Sequence, residues 1–213
     1  MTAGASAPGL VVVDYGVNNL RSVVRALAAG GHAAVLTDDP EVVRRAHHVL
    51  LPGVGHFRQA MANLAAGLGT AVQEVARAGR PVMGICLGLQ LGFERSEEAP
   101  DVPGLALLRG RIRRFATALP VPHVGWARVS PTAAGLAHPV SRAVFADGPA
   151  FFYHVHSYHP ADVPASDVLG EGDYDGPFAT LVARDNVVGA QFHPEKSQQA
   201  GIALLDAFAR WAP

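Results

Sequence analysis

Residues 10–31, LVVVDYGVNNLRSVVRALAAGG, set Leu10 and three valines ahead of a run in which Leu20, Val23, Val24 and Leu27 recur at i, i+3, i+4 and i+7. The first part has the length and β-branching of a strand buried on both faces, and the second has the period of a helix that buries one. Asn18 or Asn19 stands where a helix N-cap belongs, and Gly30-Gly31 where a helix stops. A strand feeding directly into a helix is the opening of a βαβ unit.

The alternation continues outward from that stretch. AAVLT (33–37) and HHVLLPGVG (47–55) read as strands, Phe57, Ala60, Met61 and Leu64 repeat the helical spacing, and RPVMGI (80–85) is a further buried strand. This is α/β order, so the expected core is a mainly parallel open sheet flanked by helices, flavodoxin-like, with right-handed crossovers and its chemistry at the strand carboxyl ends. Downstream the rhythm changes. LALLRGRIRRF (105–115), HVGWARV (123–129), AFFYHVHSY (150–158), FATLVAR (178–184) and VVGAQF (187–192) read as strands parted by proline, glycine and aspartate turns without intervening helices, which predicts antiparallel additions to the sheet. SQQAGIALLDAFARW (197–211) closes the chain as a helix with Leu204, Phe208 and Trp211 on one stripe behind a Ser197 cap.

With 213 residues, 49% of them hydrophobic, the chain has enough apolar surface for one sizeable core. A net charge of -1 supplies no field for nucleic acid or anionic lipid, and no apolar run reaches the roughly 18 to 20 residues that span a bilayer. Small molecules or proteins are the expected partners. The start MTAGASAPGL lacks a basic region ahead of an apolar one, so a cytoplasmic chain is expected, with residues 1–9 as a flexible arm. Cys86 is the sole cysteine, which rules out an internal disulfide and a thiolate metal cage; no metal and no cofactor are expected.

Cys86 lies in GICLG, between the apolar run PVMGI and LQLGFE, where a strand must turn sharply into a helix. Such an elbow exposes a nucleophile at the sheet's carboxyl edge, and the helix start beside it favours the thiolate. In QFHPEKSQ, Pro194 biases His193 toward extended chain, which turns His193 and Glu195 the same way and sets a carboxylate beside an imidazole. Cys86, His193 and Glu195 thus form a candidate relay of nucleophile, base and orienter. In LPGVG, Gly53, Val54 and Gly55 offer backbone amides that, with the Leu87 N–H, suit an oxyanion. Each piece alone has a plainer reading: a buried small thiol, a solvated ion pair, a turn.

Taken together and in order, DYGVNNLRSV, LPGVGHF, GICLGLQL, PHVGWA, YHVHSYH and QFHPEKSQ resemble the class I glutamine amidotransferases, and among them the glutaminase subunits of imidazole glycerol phosphate synthases, over about residues 10–212. The resemblance implies a single amidotransferase domain over residues 10–213. It implies that Cys86 attacks the carboxamide of L-glutamine, that a glutamyl thioester forms, and that His193, held by Glu195, passes the protons. Gln90 and the backbone of His156, Ser157 and Tyr158 match glutamine-binding positions. The ammonia would be channelled to a cyclase subunit, a separate (β/α)8 barrel forming a heterodimer with this chain and making imidazole glycerol phosphate and an aminoimidazole carboxamide ribotide. Asn18, Asn19, Trp126, Tyr153 and Lys196 match positions facing that partner. Ala127, Asn18 and His154 depart from the family pattern, which puts local interface contacts in question and leaves the relay intact.

Competing readings are weaker. His154 and His156 share a strand face and, with His159, invite a metal, yet no acidic or sulfur cluster completes a motif; His47, His48 and His123 read as core-edge or surface groups. A glutaminase feeding pyridoxal phosphate or anthranilate synthesis disagrees with DYG and HPEKSQ, a thiol peptidase needs no ring of partner-facing residues, and an inactive binding subunit predicts a missing relay member.

Overall fold

The computed structural model describes residues 7–213. In chain order the elements are β1 (Leu10–Val13), α1 (Leu20–Ala29), β2 (Val35–Thr37), α2 (Pro40–Arg45), β3 (His48–Gly53), α3 (Phe57–Leu64), α4 (Leu68–Arg77), β4 (Val82–Cys86) and α5 (Leu87–Leu91). The second half follows with β5 (Arg111–Arg114), β6 (His123–Pro131), α6 (Ala133–Ala137), α7 (Pro139–Arg142), β7 (Ala150–His156), β8 (Tyr158–Ala161), β9 (Val168–Asp173), β10 (Pro177–Arg184), β11 (Val187–Ala190) and α8 (Gln198–Ala209).

Nine strands form one sheet in the order β2-β1-β3-β4-β11-β10-β9-β6-β7. The first five run parallel, and β10, β9, β6 and β7 are antiparallel to their neighbours. Strand alternation divides the apolar side chains between two layers. Val11, Val13, Val49 and Leu51 face α2 to α5, meeting Val43, Phe57, Leu64, Val72 and Leu89; Leu10, Val12, Leu50, Met83 and Ile85 face α1 and α8, meeting Leu20, Val23, Leu27, Leu204 and Phe208. Each such side chain contributes about 1.5–3 kcal/mol by leaving water, so apolar stripes rather than helix propensity dock these helices. The parallel order brings the carboxyl ends of β1, β3, β4 and β11 to one edge. Among the described residues, no helix is long and apolar enough to cross a membrane.

Several expectations are corrected. Short helices α6 and α7 interrupt the second half between β6 and β7. Of LALLRGRIRRF only Arg111–Arg114 is a strand, and it pairs with β8 in a separate two-stranded ribbon rather than joining the main sheet. β9 went unread because Gly170 and Gly172 dilute its β-propensity; Gly170 is needed there, since a Cβ would lie 2.9 Å from Val129. Asn19 occupies the N-cap position of α1 and Ser197 that of α8, but neither side chain caps its helix. The Ser197 hydroxyl donates to the His193 carbonyl (2.6 Å) and accepts from Tyr153 N–H (3.0 Å). Of the expected arm, residues 1–6 lie outside the described residues, while the Pro8 and Gly9 carbonyls accept from His47 and His48 N–H at 3.0 and 2.9 Å.

Candidate active site

β4 ends on Cys86, whose backbone takes φ 53 and ψ -109 before α5 begins. A non-glycine residue there carries strain of about 1–3 kcal/mol, which surrounding packing must hold. The flanking glycines supply that packing. A Cβ on Gly84 would lie 2.6 Å from the Gly88 carbonyl oxygen, and one on Gly88 only 1.6 Å from that of Leu51, so α5 rests directly on the backbones of β3 and β4. Leu87 N–H heads α5, where helical amides have no intrahelical acceptor.

A cavity of about 330 Å³ opens over Cys86, lined by Val54, Gly55, Leu87, Gln90, His156, Ser157 and Tyr158 among others. Every substrate-binding residue expected from the sequence is therefore on its wall. Gly53 is not; it pairs with Cys86 across β3 and β4, and a Cβ there would fall 2.1 Å from the Tyr15 hydroxyl. Glu98, unforeseen from sequence, completes the rim by accepting from Phe57 N–H at 2.9 Å.

His193 and Glu195 lie behind the thiol rather than on the cavity wall. His193 is extended (φ -101, ψ 94) as expected, but Pro194–Lys196 curl into a 3-10 turn, and this turn brings Glu195 Oε1 to 2.7 Å from His193 Nδ1. Both side chains are 1% exposed. Nδ1 donates to the carboxylate, which leaves Nε2 buried and without a hydrogen-bond partner among the described residues. Burial alone would lower the His193 pKa; the neighbouring Cys86 sulfur and the Glu195 carboxylate outweigh it and raise the value to about 10.

Two residues have roles that sequence reading did not give them. Asn19, expected to face a partner, instead donates through Nδ2 to Glu195 Oε1 at 2.5 Å, fixing the carboxylate that fixes the imidazole. Tyr15 donates to the Pro52 carbonyl at 2.7 Å and pins the glycine loop; burial, with Cys86 nearby, pushes its hydroxyl pKa far up and keeps it protonated. DYG was the available signal, since a tyrosine at a strand's carboxyl end adjoins whatever the neighbouring strands deliver there.

The other expected surface residues do gather. Asn18 and Lys196 are exposed, Lys196 Nζ stands 5.5 Å over the Tyr153 ring, and Trp126 meets Tyr153 edge-on at 6.4 Å. His154 is not a surface contact. It is fully buried, donates from Nδ1 to the Phe152 carbonyl (3.0 Å) and accepts at Nε2 from the Thr180 hydroxyl (2.9 Å), which uses both ring nitrogens. Burial chiefly lowers its pKa to about 3. His156 donates from Nδ1 to the Tyr158 carbonyl (2.9 Å); burial first, then His154, keeps it neutral, so its unpartnered Nε2 is an acceptor.

The glutamine amidotransferase class-I family model matches residues 11–210. The chain belongs to that family. It is 45% identical over 202 residues to the imidazole glycerol phosphate synthase subunit HisH of Symbiobacterium thermophilum, covering 94% of this chain and 93% of that subunit. With HisH of Deinococcus radiodurans it shares 44% over 209 residues, 96% and 94% of the two chains. Within the amidotransferases it therefore groups with the HisH subunits. A crystal structure of glutamine amidotransferase superposes with TM-score 0.74 at 18% identity, over 94% of this chain and 99% of the other. The structure of PurLQS from Thermotoga maritima gives 0.73 at 18%, over 95% and 97%. At that identity the likeness speaks for the fold.

Proposed function

We propose that the chain is the glutamine-hydrolysing subunit of an imidazole glycerol phosphate synthase, with residues 10–213 acting as one catalytic domain. The observation that carries the reading is the buried, unpartnered Nε2 of His193, whose Nδ1 is tied to Glu195, behind a thiol held in strained backbone at the floor of a cavity. With the thiol proton already held on Nε2, as the raised His193 pKa requires, Cys86 sulfur attacks the carboxamide carbon of glutamine. The resulting oxyanion is met by Leu87 N–H and by the amides of Val54 and Gly55, which line the cavity. Collapse breaks the C–N bond, ammonia leaves with the proton from Nε2, and a glutamyl thioester remains on Cys86. Water then attacks the thioester, Nε2 takes its proton, and glutamate departs as the thiol reforms. Gln90, His156, Ser157 and Tyr158 hold the amino-acid end of the substrate.

The ammonia passes to a cyclase subunit, a separate (β/α)8 barrel that pairs with this chain as a heterodimer. One face of β6 and β7 supports that partner: Val124, Trp126 and Phe151 are 57%, 48% and 57% exposed there, with Tyr153 on the same face beneath Lys196. Asn18, Trp126, Tyr153 and Lys196 face the partner, while Asn19 is taken up by its hydrogen bond to Glu195. We assign the pair to the cytoplasm, whose redox poise keeps a lone catalytic thiol reduced.

Cys86→Ala in the complex is expected to abolish glutamate release while ammonium-supported synthesis by the cyclase persists. Continued glutamate release from that variant overturns the assignment of the nucleophile.

A further inference from the structure

Gln191 is fully buried on the segment between β11 and His193, and the mechanism above gives it no role. Its side chain stands between two groups that the mechanism does use. Gln90 Nε2 lies 3.2 Å from the Tyr158 carbonyl oxygen and 3.1 Å from Gln191 Oε1, and Gln191 Nε2 lies 3.8 Å from Cys86 Sγ. The direction of this chain follows from its first link. A backbone carbonyl only accepts, so the Gln90 amide nitrogen must face Tyr158. The second proton of that nitrogen then needs an acceptor, which turns Gln191 Oε1 toward Gln90 and leaves Gln191 Nε2 to donate toward sulfur. Gln90 lines the cavity, and its Oε1 makes no hydrogen bond among the described residues, so it is free to meet a ligand there.

We propose that Gln191 is a positioning residue that couples the two halves of the site: its carbonyl aims Gln90 at the bound glutamine, and its amide N–H holds the Cys86 sulfur in line for attack. The inference rests on the glutaminase reading. A buried side-chain amide with both ends engaged does not rotate freely, so a shift of Gln90 on substrate binding reaches the thiol through one rigid group. An amide N–H also solvates developing negative charge on sulfur without taking part in proton transfer.

The test uses the full chain with its cyclase. Gln191→Met preserves length and removes both polar ends; KM for glutamine should rise and kcat fall, each by about tenfold, the loss of one hydrogen bond apiece. Gln191→Glu keeps an acceptor toward Gln90 and keeps a donor toward sulfur only while protonated. Its KM should stay close to wild type, and its kcat relative to wild type should fall as pH rises. Unchanged constants in Gln191→Met overturn the proposal, as does a pH-independent loss equal in both variants, which is what a packing role alone gives. Where a variant fails to fold, the side-chain amide NMR signals of Gln90 and Gln191 in otherwise intact protein decide. Both should move in Cys86→Ala, and unmoved signals overturn the relay. Failure of the parent reading looks different: wild-type chain, or Cys86→Ala as much as wild type, would show no thiol-dependent glutamine use.

Discussion

The parallel half of the sheet and the antiparallel half do different jobs by different means. In β3 and β4 the atoms of the site are held by backbone lying against backbone, with Gly84 and Gly88 filling positions where any Cβ would strike a neighbouring peptide. In β6, β7 and the turn between β9 and β10 the corresponding layer is a stack of rings, His123 on His154 at 5.1 Å and on Tyr174 at 4.2 Å, with exposed apolar side chains on the open face of β6 and β7. Rigid backbone contacts suit a nucleophile whose placement must not drift. Ring stacks and half-exposed side chains suit a substrate wall and a surface that changes neighbours. The contrast predicts that substitutions in the first region strike the fold and the chemistry together, whereas those in the second separate stability, assembly and turnover.

Gly88→Ala tests the first region hardest. Its methyl would sit 1.6 Å from the Leu51 carbonyl oxygen, so α5 must lift from the sheet. A loss of about 3 kcal/mol or more is expected in denaturant unfolding, together with loss of glutaminase turnover; a normal midpoint would show that the elbow is not locked by this contact. Glu195→Gln leaves the fold intact but withdraws the charge at 2.7 Å from His193, and kcat for glutamate release should fall about a hundredfold or more. An unchanged kcat would remove Glu195 from the relay.

In the second region, Trp126→Ala should weaken cyclase binding by about 2 kcal/mol, measured by titration calorimetry, with glutamate release by the chain alone unaltered. Loss of that basal turnover would mean the two regions are not separable. His154→Leu gives the smallest effect, seen in pH dependence. The folded pKa of His154, about 3, lies below its ordinary 6.5, so the stability of the neutral buried ring is whole above 6.5 and drains away as pH falls toward 3. The charges of His123 and His193 beside it lower that pKa further. Leucine cannot titrate, so the slope of unfolding free energy against pH in that window should flatten, after a cost of roughly 1 kcal/mol at neutral pH for the orphaned Thr180 hydroxyl. An unaltered slope would place the acid sensitivity elsewhere.

The parallel core was legible because its signal is local: β-branched runs, helical spacing and glycine punctuation each report on a few neighbouring residues. GICLG and HPE were legible for the same reason, and the cavity residues came through resemblance. What escaped is long-range. Asn19 and Glu195 are 176 positions apart, and only the adjacency of β1, β3, β4 and β11 carries α1's first residues to the turn after β11. The same adjacency hides Tyr15 beneath Pro52. β9 escaped because glycines required by packing against Val129 and Phe178 weaken the pattern that marks a strand. His154 reads as a departure in sequence and is a satisfied core residue in the fold, since its partners, Phe152 O and Thr180, lie on its own strand and on β10.

The central claim is that Cys86 takes up the acyl group of glutamine. Rapid quenching of the chain with glutamine, followed by peptide mass spectrometry, should find a glutamyl adduct on the fragment holding residues 81–90, absent from Cys86→Ala. Glutamate released at the wild-type rate with no such adduct, or an adduct on another residue, would contradict the account.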